Sequence, residues 1–440
     1  MEFPQKLVRF GIKTSQNSFV RVVRQTMIML FPFAALGSIA SVINVSILSS
    51  AGFIGNIFYI TKWLPHVARI RSMFSAFSML TVKIIAVLAA YQAAVHTARI
   101  YRKNIEMSGM TGMIAFLLIA LQPIQQQYDT QTFLKFAVNT RLMGIQGLFI
   151  GIVVGYATGQ IFHLVQRYAE HKDETQVEMQ GFDRAYHTIL PILITLTLAI
   201  LINQLILQLY RYQVPTAISA YYQNLSSKKH GLLSTVLLGA WSSFLAWMGL
   251  SGPYKAQQIY NSDPAAIADS TYALKHNSAW NVPYKYTQTT LYHSFGTFGG
   301  VGSTLALVIA IIIVARTSRY HKVARWSIFP VLFNTNQSIL LGAPVMFNVV
   351  YLIPFVLTPV VNMLIAALAI YLKIMPPVTY PTPLETPSVL NAFIGTGGNF
   401  VALLVGVLVI MIDVIIYTPF VKLSEKIETE MEQQRINLDK

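Results

Sequence analysis

Apolar runs almost free of charge recur along this chain, and no other feature restricts it as much. They cover 26–48, 72–97 interrupted by Lys83, 107–121, 142–165, 187–210, 231–250, 303–315, a very long run over 326–372, and 393–417. One crossing of a bilayer needs about 20 such residues. Lipid offers no partner to backbone donors and acceptors, so these runs must be helical. Charged residues make up 11% of the 440, whereas soluble chains carry roughly 25%. A soluble globular fold is excluded, and little length remains for a large soluble domain. The sequence predicts an all-α polytopic membrane protein.

The run over 326–372 exceeds one crossing and holds Pro330, Pro344, Pro354 and Pro359, which predicts several pieces. Asn334, Thr335, Asn336 and Gln337 interrupt its apolar character, and broken backbone at that depth belongs beside a cavity. The stretch 251–302 is richer in Tyr, Asn, Gln and Pro and ends in Gly299, Gly300 and Gly302, as a folded excursion would. Counting crossings from an inside N-terminus puts the basic loop Arg316, Arg319, Lys322 and Arg325 outside, against the positive-inside rule. A hidden crossing or half-membrane hairpin restores the parity. The mixed loop 167–184, with Glu170, Asp173, Glu174, Glu178 and Asp183, predicts a solvated connection, and 422–440 predicts a short charged cytoplasmic helix.

The formal net charge of +15 is concentrated beside the apolar runs. Lys6, Arg9, Lys13, Arg21 and Arg24 face a single acid, Glu2, ahead of the first run, which predicts a cytoplasmic N-terminus and not nucleic-acid binding. The chain has no cysteine, which excludes disulfides, zinc-thiolate sites, iron-sulfur clusters and a cysteine nucleophile. Neither GxxxxGK[ST], nor GxGxxG after a strand, nor HExxH occurs. The nine histidines are scattered without metal-ligand spacing, so no metal and no cofactor are expected. Two charges lie inside apolar runs. Lys83 could meet an anion or an acid, or snorkel; Asp413 could be a proton or cation ligand, or a structural partner near the membrane edge.

Several motifs together resemble a known family. They are Phe333-Asn-Thr-Asn-Gln-Ser-Ile-Leu-Leu-Gly-Ala-Pro-Val-Met-Phe-Asn348, Ile353-Pro-Phe-Val-Leu-Thr-Pro359, Gly299-Gly-Val-Gly-Ser-Thr-Leu305 and Trp247-Met-Gly-Leu-Ser-Gly252. Thr386-Pro387, Thr396-Gly-Gly398 and Ile416-Tyr-Thr-Pro-Phe420 complete the set. The sequence resembles enzyme IIC of the bacterial phosphotransferase system, of the cellobiose/lactose type, with the specific motifs confined to Trp247 through Phe420. The resemblance implies about ten transmembrane helices with two re-entrant hairpins, in the enzyme IIC (glucose superfamily) fold. It also implies a homodimer in the bacterial cytoplasmic membrane, a sugar substrate such as a glucoside or disaccharide, and a phosphoryl donor on a separate IIB protein. Residues 1–225 would form a scaffold and dimerisation half, 226–422 the sugar-binding transport half, and 423–440 the tail.

The resemblance assigns sugar contact to Ser251, Gly252, Gly300, Asn334, Asn336, Gln337 and Thr386. The family's histidine falls at Ser251 and its glutamate at Gln337, so neither titratable group is present. A residue that accepts the sugar hydroxyl's proton must be able to hold it, which serine and glutamine do not do near neutral pH. His293 and Glu385 are candidate stand-in bases, and Trp247 and Tyr254 candidate stacking surfaces. The expected function is a sugar-binding permease with a phosphotransfer site that has lost its base; the alternative is a membrane sugar sensor that no longer transports.

Overall fold

The structure is a computed structural model describing residues 11, 17–128, 131–170, 186–212, 217, 220–221, 231–254 and 263–438. The N-terminal Lys6, Arg9 and Lys13 and the acidic Asp173, Glu174, Glu178 and Asp183 lie outside the described residues.

The principal helices, in chain order, begin with α1 (Ser18–Val42), α2 (Val67–Thr81), α3 (Ile85–Ile100) and α4 (Ile105–Ile119). Strands β1 (Leu121–Tyr128) and β2 (Gln131–Val138) follow, then α5 (Leu148–Glu170), α6 (Ile189–Arg211), α7 (Leu232–Trp247) and α8 (Pro264–His276). A π-helical segment, Gln288–Gly296, precedes α9 (Thr304–Val314), α10 (Ser318–Leu332) and α11 (Gln337–Gly342). Helices α12 (Val349–Tyr371), α13 (Ser388–Gly395) and α14 (Phe400–Leu438) end the chain. Among the described residues six helical segments are long and apolar enough to cross a membrane: Ser18–Ile47, Val67–Ile100, Ile145–Gln166, Ile189–Arg211, Val349–Tyr371 and Phe400–Met431. Helices α4, α7 and α9 are apolar but shorter, and the 11 residues of α9 span about half of a hydrocarbon core.

The chain divides into two compact units, one of Met1–Lys13, Phe31–Leu80 and Ser219–Lys440, the other of Thr14–Leu30 and Thr81–Ile218. In the smaller unit α3 packs along α4 and α5, and α4 along α6. Helix α3 is alanine-rich and buried almost throughout, and α5 meets it with Gly151, Gly155 and Gly159, one face of a helix at four-residue spacing. A Cβ at Gly155 would lie 2.2 Å from the Ala90 carbonyl oxygen, and one at Gly151 2.4 Å from that of Ala86. Small residues let the backbones touch, which is how helices associate where no hydrophobic drive separates them from lipid. Asn203 on α6 donates to the carbonyls of Ile119 and Leu121, at 3.0 and 2.8 Å, closing the end of α4 where the chain turns into β1. The antiparallel β1–β2 pair, in register from Leu121↔Val138 to Tyr128↔Gln131, sits in a polar connection that hydropathy alone treats as loop.

In the larger unit α7, the π-helical segment, α9, α12 and α14 surround a core containing Tyr292, Phe295, Phe298, Tyr351, Phe355 and Tyr417. The 326–372 run is divided into several pieces, as its length and prolines predict: the backbone leaves the helix at 333–336 and again at 343–348, around Pro344, whereas Pro330 lies inside α10 and Pro354 and Pro359 inside α12. The charged C-terminal segment is no separate helix. It continues α14, and Glu425 accepts from the backbone N–H groups of Arg316 and Thr317, at 2.8 and 2.6 Å, and from the Thr317 hydroxyl. Arg319 pairs with Glu428 at 3.2 Å. Lys83 stands exposed in the turn between α2 and α3.

The α3–α5 contact makes a prediction. Gly155→Leu should cost more than the ~1–3 kcal/mol of ordinary overpacking, because the obstacle is a carbonyl and not a flexible side chain. Gel filtration in detergent should show loss of the monodisperse peak for Gly155→Leu and an intermediate loss for Gly155→Ala; unchanged elution of both would contradict the close approach.

Candidate sugar-binding site

The break between α10 and α11 follows from its local chemistry. Thr335 N–H donates to the Pro330 carbonyl at 2.9 Å and Asn334 N–H to that of Val331 at 3.0 Å, the paired bonds of a Schellman C-cap. Such a cap needs a left-handed residue, and Asn334 takes it with φ 62. Among residues with a Cβ, asparagine tolerates that conformation best. The chain then restarts as α11 at Gln337, so three amide side chains stand within four residues, all half-buried.

Each amide is fixed at one end. Asn334 Nδ2 donates to the Thr386 carbonyl at 2.9 Å, and Asn336 Nδ2 to the Val301 carbonyl at 3.2 Å. Gln337 Oε1 instead accepts from the Ser38 hydroxyl at 3.3 Å. Among the described residues no hydrogen bond engages Asn334 Oδ1, Asn336 Oδ1 or Gln337 Nε2. The row therefore presents two unengaged amide oxygens and one unengaged amide nitrogen, all neutral.

Two backbone segments frame the row. Gly299, Gly300 and Gly302 have φ of +75, +107 and +81°, and a Cβ at Gly300 would lie 2.6 Å from Asn336 Nδ2. A side chain is thus forbidden at Gly300 both by conformation and by the amide against it. On the other flank Thr386 donates to the Pro383 carbonyl at 2.7 Å, Glu385 is left-handed with φ 50, and its carbonyl accepts from Ser46 at 3.2 Å. Leu384 pairs backbone to backbone with the 51–53 segment.

Gly300, Asn334, Asn336, Gln337 and Thr386 are accordingly brought together. Ser251 and Gly252 lie in the same unit, just past α7. Ser251 is exposed, and Gly252 is pressed on Ser242, whose Cα would stand 2.5 Å from an added Cβ. Among the described residues no hydrogen bond joins Ser251 to Gln337. His293 is half-buried in the π-helical segment, where its carbonyl accepts from Asn391 and Thr297, each at 3.4 Å. Trp247 and Tyr254 are buried and committed to packing, contrary to a stacking role. The Trp247 indole donates to the Asn348 carbonyl at 3.2 Å, and the Tyr254 ring lies 5.2 Å from that of Tyr292. Ser38 is the functional neighbour that sequence does not reveal, a serine in an ordinary apolar helix whose partner lies 299 positions away.

The chain matches the family described as Phosphotransferase system, EIIC over residues 24–359. It is 25% identical over 441 residues to the oligo-beta-mannoside-specific EIIC component of Bacillus subtilis (strain 168), covering 98% of this chain and 95% of that one. Against the cellobiose-specific EIIC component of Lactococcus lactis subsp. lactis (strain IL1403) identity reaches 37% over 140 residues, 32% of this chain and 28% of the relative. The lactose-specific EIICB component of Staphylococcus aureus (strain COL) is 25% identical over 98% of this chain and 73% of its own length. These relatives are sugar-specific transport components, which favours a permease over a sensor. A family match over most of the chain, together with multiple apolar spans, places this protein in the EIIC family of the phosphotransferase system, as a multi-pass membrane permease for sugar transport.

Proposed function

We propose that the amide row at the α10–α11 break binds a β-linked disaccharide or short oligosaccharide and that the chain carries it across the cytoplasmic membrane of a bacterium. One observation carries this reading: Asn334, Asn336 and Gln337 each spend one end of the amide on protein and leave the other uncommitted. A pyranose presents hydroxyls that both donate and accept, and unengaged amide oxygens beside an unengaged amide NH2 match such a group without any charge. The relatives' substrates support the class, since cellobiose and lactose are β-linked disaccharides and the third relative takes oligo-beta-mannosides. Ser251, Gly252, Gly300 and Thr386 complete the proposed contact set. Residues 226–422 act as the transport half and 1–225 as the scaffold of a homodimer, with Ser38 lent to Gln337 as support.

The chemistry that accompanies transport is reduced in this reading. A separate IIB protein is the phosphoryl donor, in keeping with a relative that carries the two parts fused as EIICB. Ser251 and Gln337 stand where the resemblance puts a histidine and a glutamate, and neither can store the proton that leaves the sugar hydroxyl. The chain binds and passes sugar while transferring phosphate poorly.

Cellobiose binding to the full-length protein in vesicles tests the site. Asn336→Ala and Gln337→Ala should each weaken it about 3- to 10-fold, the loss of one neutral hydrogen bond. Gly300→Ala should weaken it further, because the new Cβ meets Asn336 Nδ2 at 2.6 Å. Unaltered dissociation constants in all three variants would move the sugar elsewhere. A second test concerns the chemistry. With phosphorylated IIB supplied, Ser251→His combined with Gln337→Glu should yield sugar phosphate faster than either change alone, and equal inactivity of all three would refute a loss confined to these two positions.

A further inference from the structure

The glycine turn that meets Asn336 is fastened by a second set of side chains, none of which the sugar site uses. The Gly302 carbonyl accepts from the Tyr417 hydroxyl and from Thr358 Oγ1, the latter at 3.4 Å. Ser303, left-handed at φ 51 although it carries a Cβ, accepts on Oγ from Asn362 Nδ2 at 2.9 Å. The same Nδ2 donates to Asp413 Oδ2 at 2.8 Å. Ser303, Thr358, Asn362, Asp413 and Tyr417 are all wholly buried.

Two atoms of this cluster are unmatched: Asp413 Oδ1 and Asn362 Oδ1, both buried and both acceptors. The Ser303 hydroxyl spends its own hydrogen on the Gly296 carbonyl at 3.4 Å, so the two oxygens are left without a donor. Among the described residues no cation is placed to supply one. Helix α9 and helix α13, which pack on α14, carry no titratable residue, and α12 carries only Tyr351 and Tyr371. On α14 itself Tyr417 is the neighbour, and Lys422 lies about 13 Å further along the axis. On α10, Arg319 is engaged by Glu428, a further six positions beyond Lys422. A carboxylate in this place would be an unpaired charge at membrane depth, which costs several kcal/mol. A bound metal ion needs four to eight ligands, and among the described residues the cluster leaves two side-chain oxygens uncommitted. A water could donate to both oxygens but would leave the charge uncompensated.

We infer that Asp413 is a buried proton-binding site: the side chain stands as the uncharged acid, and its proton supplies the missing donor of the Asp413–Asn362–Ser303 chain that holds the 299–303 turn against Asn336. Asp413 is a positioning residue in this role, acting on the sugar site through Asn362, Ser303 and the turn. It makes the turn's left-handed run dependent on one hydrogen atom, independently of which sugar is bound.

The test uses full-length protein in phosphatidylethanolamine/phosphatidylglycerol vesicles at neutral pH. The infrared difference spectrum, wild type minus Asp413→Asn, should contain a protonated-carboxyl C=O stretch that shifts on deuteration. Asparagine is the isostere of the neutral acid, with an N–H in place of the O–H, so Asp413→Asn should melt within ~2 °C of wild type while Asp413→Ala melts several degrees lower. Absence of the band overturns the inference whatever the melting data show. A band accompanied by equal melting losses in Asp413→Asn and Asp413→Ala overturns the role given to the proton. Neither readout involves sugar, so a failure here is separable from a failure of the proposed binding site.

Discussion

Lipid cannot hydrogen-bond a backbone, and at three helix ends in this chain the chain itself supplies the partner. At the end of α10 the closure is the Schellman pair from Thr335 and Asn334 to Pro330 and Val331. At the end of α4 it is the Asn203 amide, shared between two carbonyls. Ahead of α10 it is the Glu425 carboxylate, which gathers two backbone N–H groups. The amides of the candidate site obey the same constraint first. Asn334 and Asn336 each spend an N–H on a carbonyl of a neighbouring segment, which leaves their oxygens uncommitted. A binding row at this depth is a by-product of closing a break without water.

That constraint also explains what could be read in advance. The spans were legible because hydropathy acts over 20 or so residues and needs no partner. The break was legible because four consecutive polar residues in an apolar run have no other place to go, and Gly300 because consecutive glycines announce a left-handed turn. Pro354 and Pro359 do not divide the run: each lies inside α12, where it removes one backbone donor from the helix without ending it. The illegible contacts are those between distant segments. Nothing near Ser38 points to Gln337, and nothing near Glu425 points to Thr317, because a single hydrogen bond across 299 or 108 positions leaves no local pattern. The β1–β2 pair is not legible because its residues carry neither a strict apolar alternation nor a helical period.

The glycine turn shows how strain is held for use. Four residues between 299 and 303 are left-handed, and one of them, Ser303, has a Cβ. A non-glycine residue in that region costs about 1–3 kcal/mol and persists only when its surroundings over-determine it. Here the surroundings are Asn362 on the serine, Tyr417 and Thr358 on the Gly302 carbonyl, and Asn336 on the Val301 carbonyl. Asn336 therefore belongs to both sets, as a brace of the turn and as part of the row it helps to shape. Substitutions that loosen the turn should be expected to act on the row even when they touch no ligand.

Charge and shape separate at Gln337. The Ser38 hydroxyl donates to Oε1, and a glutamate in that place would accept the same bond through the corresponding oxygen. The contact that orients the side chain is thus indifferent to whether it can ionise. What differs is the other terminal atom: an amide nitrogen that only donates, where a carboxylate oxygen would accept a proton. Because the flanking braces at Gly300, Val301 and Thr386 involve backbone and neutral amides alone, the pocket's geometry does not rest on an ion pair that such an exchange would break. Holding a polyhydroxylated ligand and taking its proton are separable demands, and the residues proposed for the first contain nothing that could meet the second.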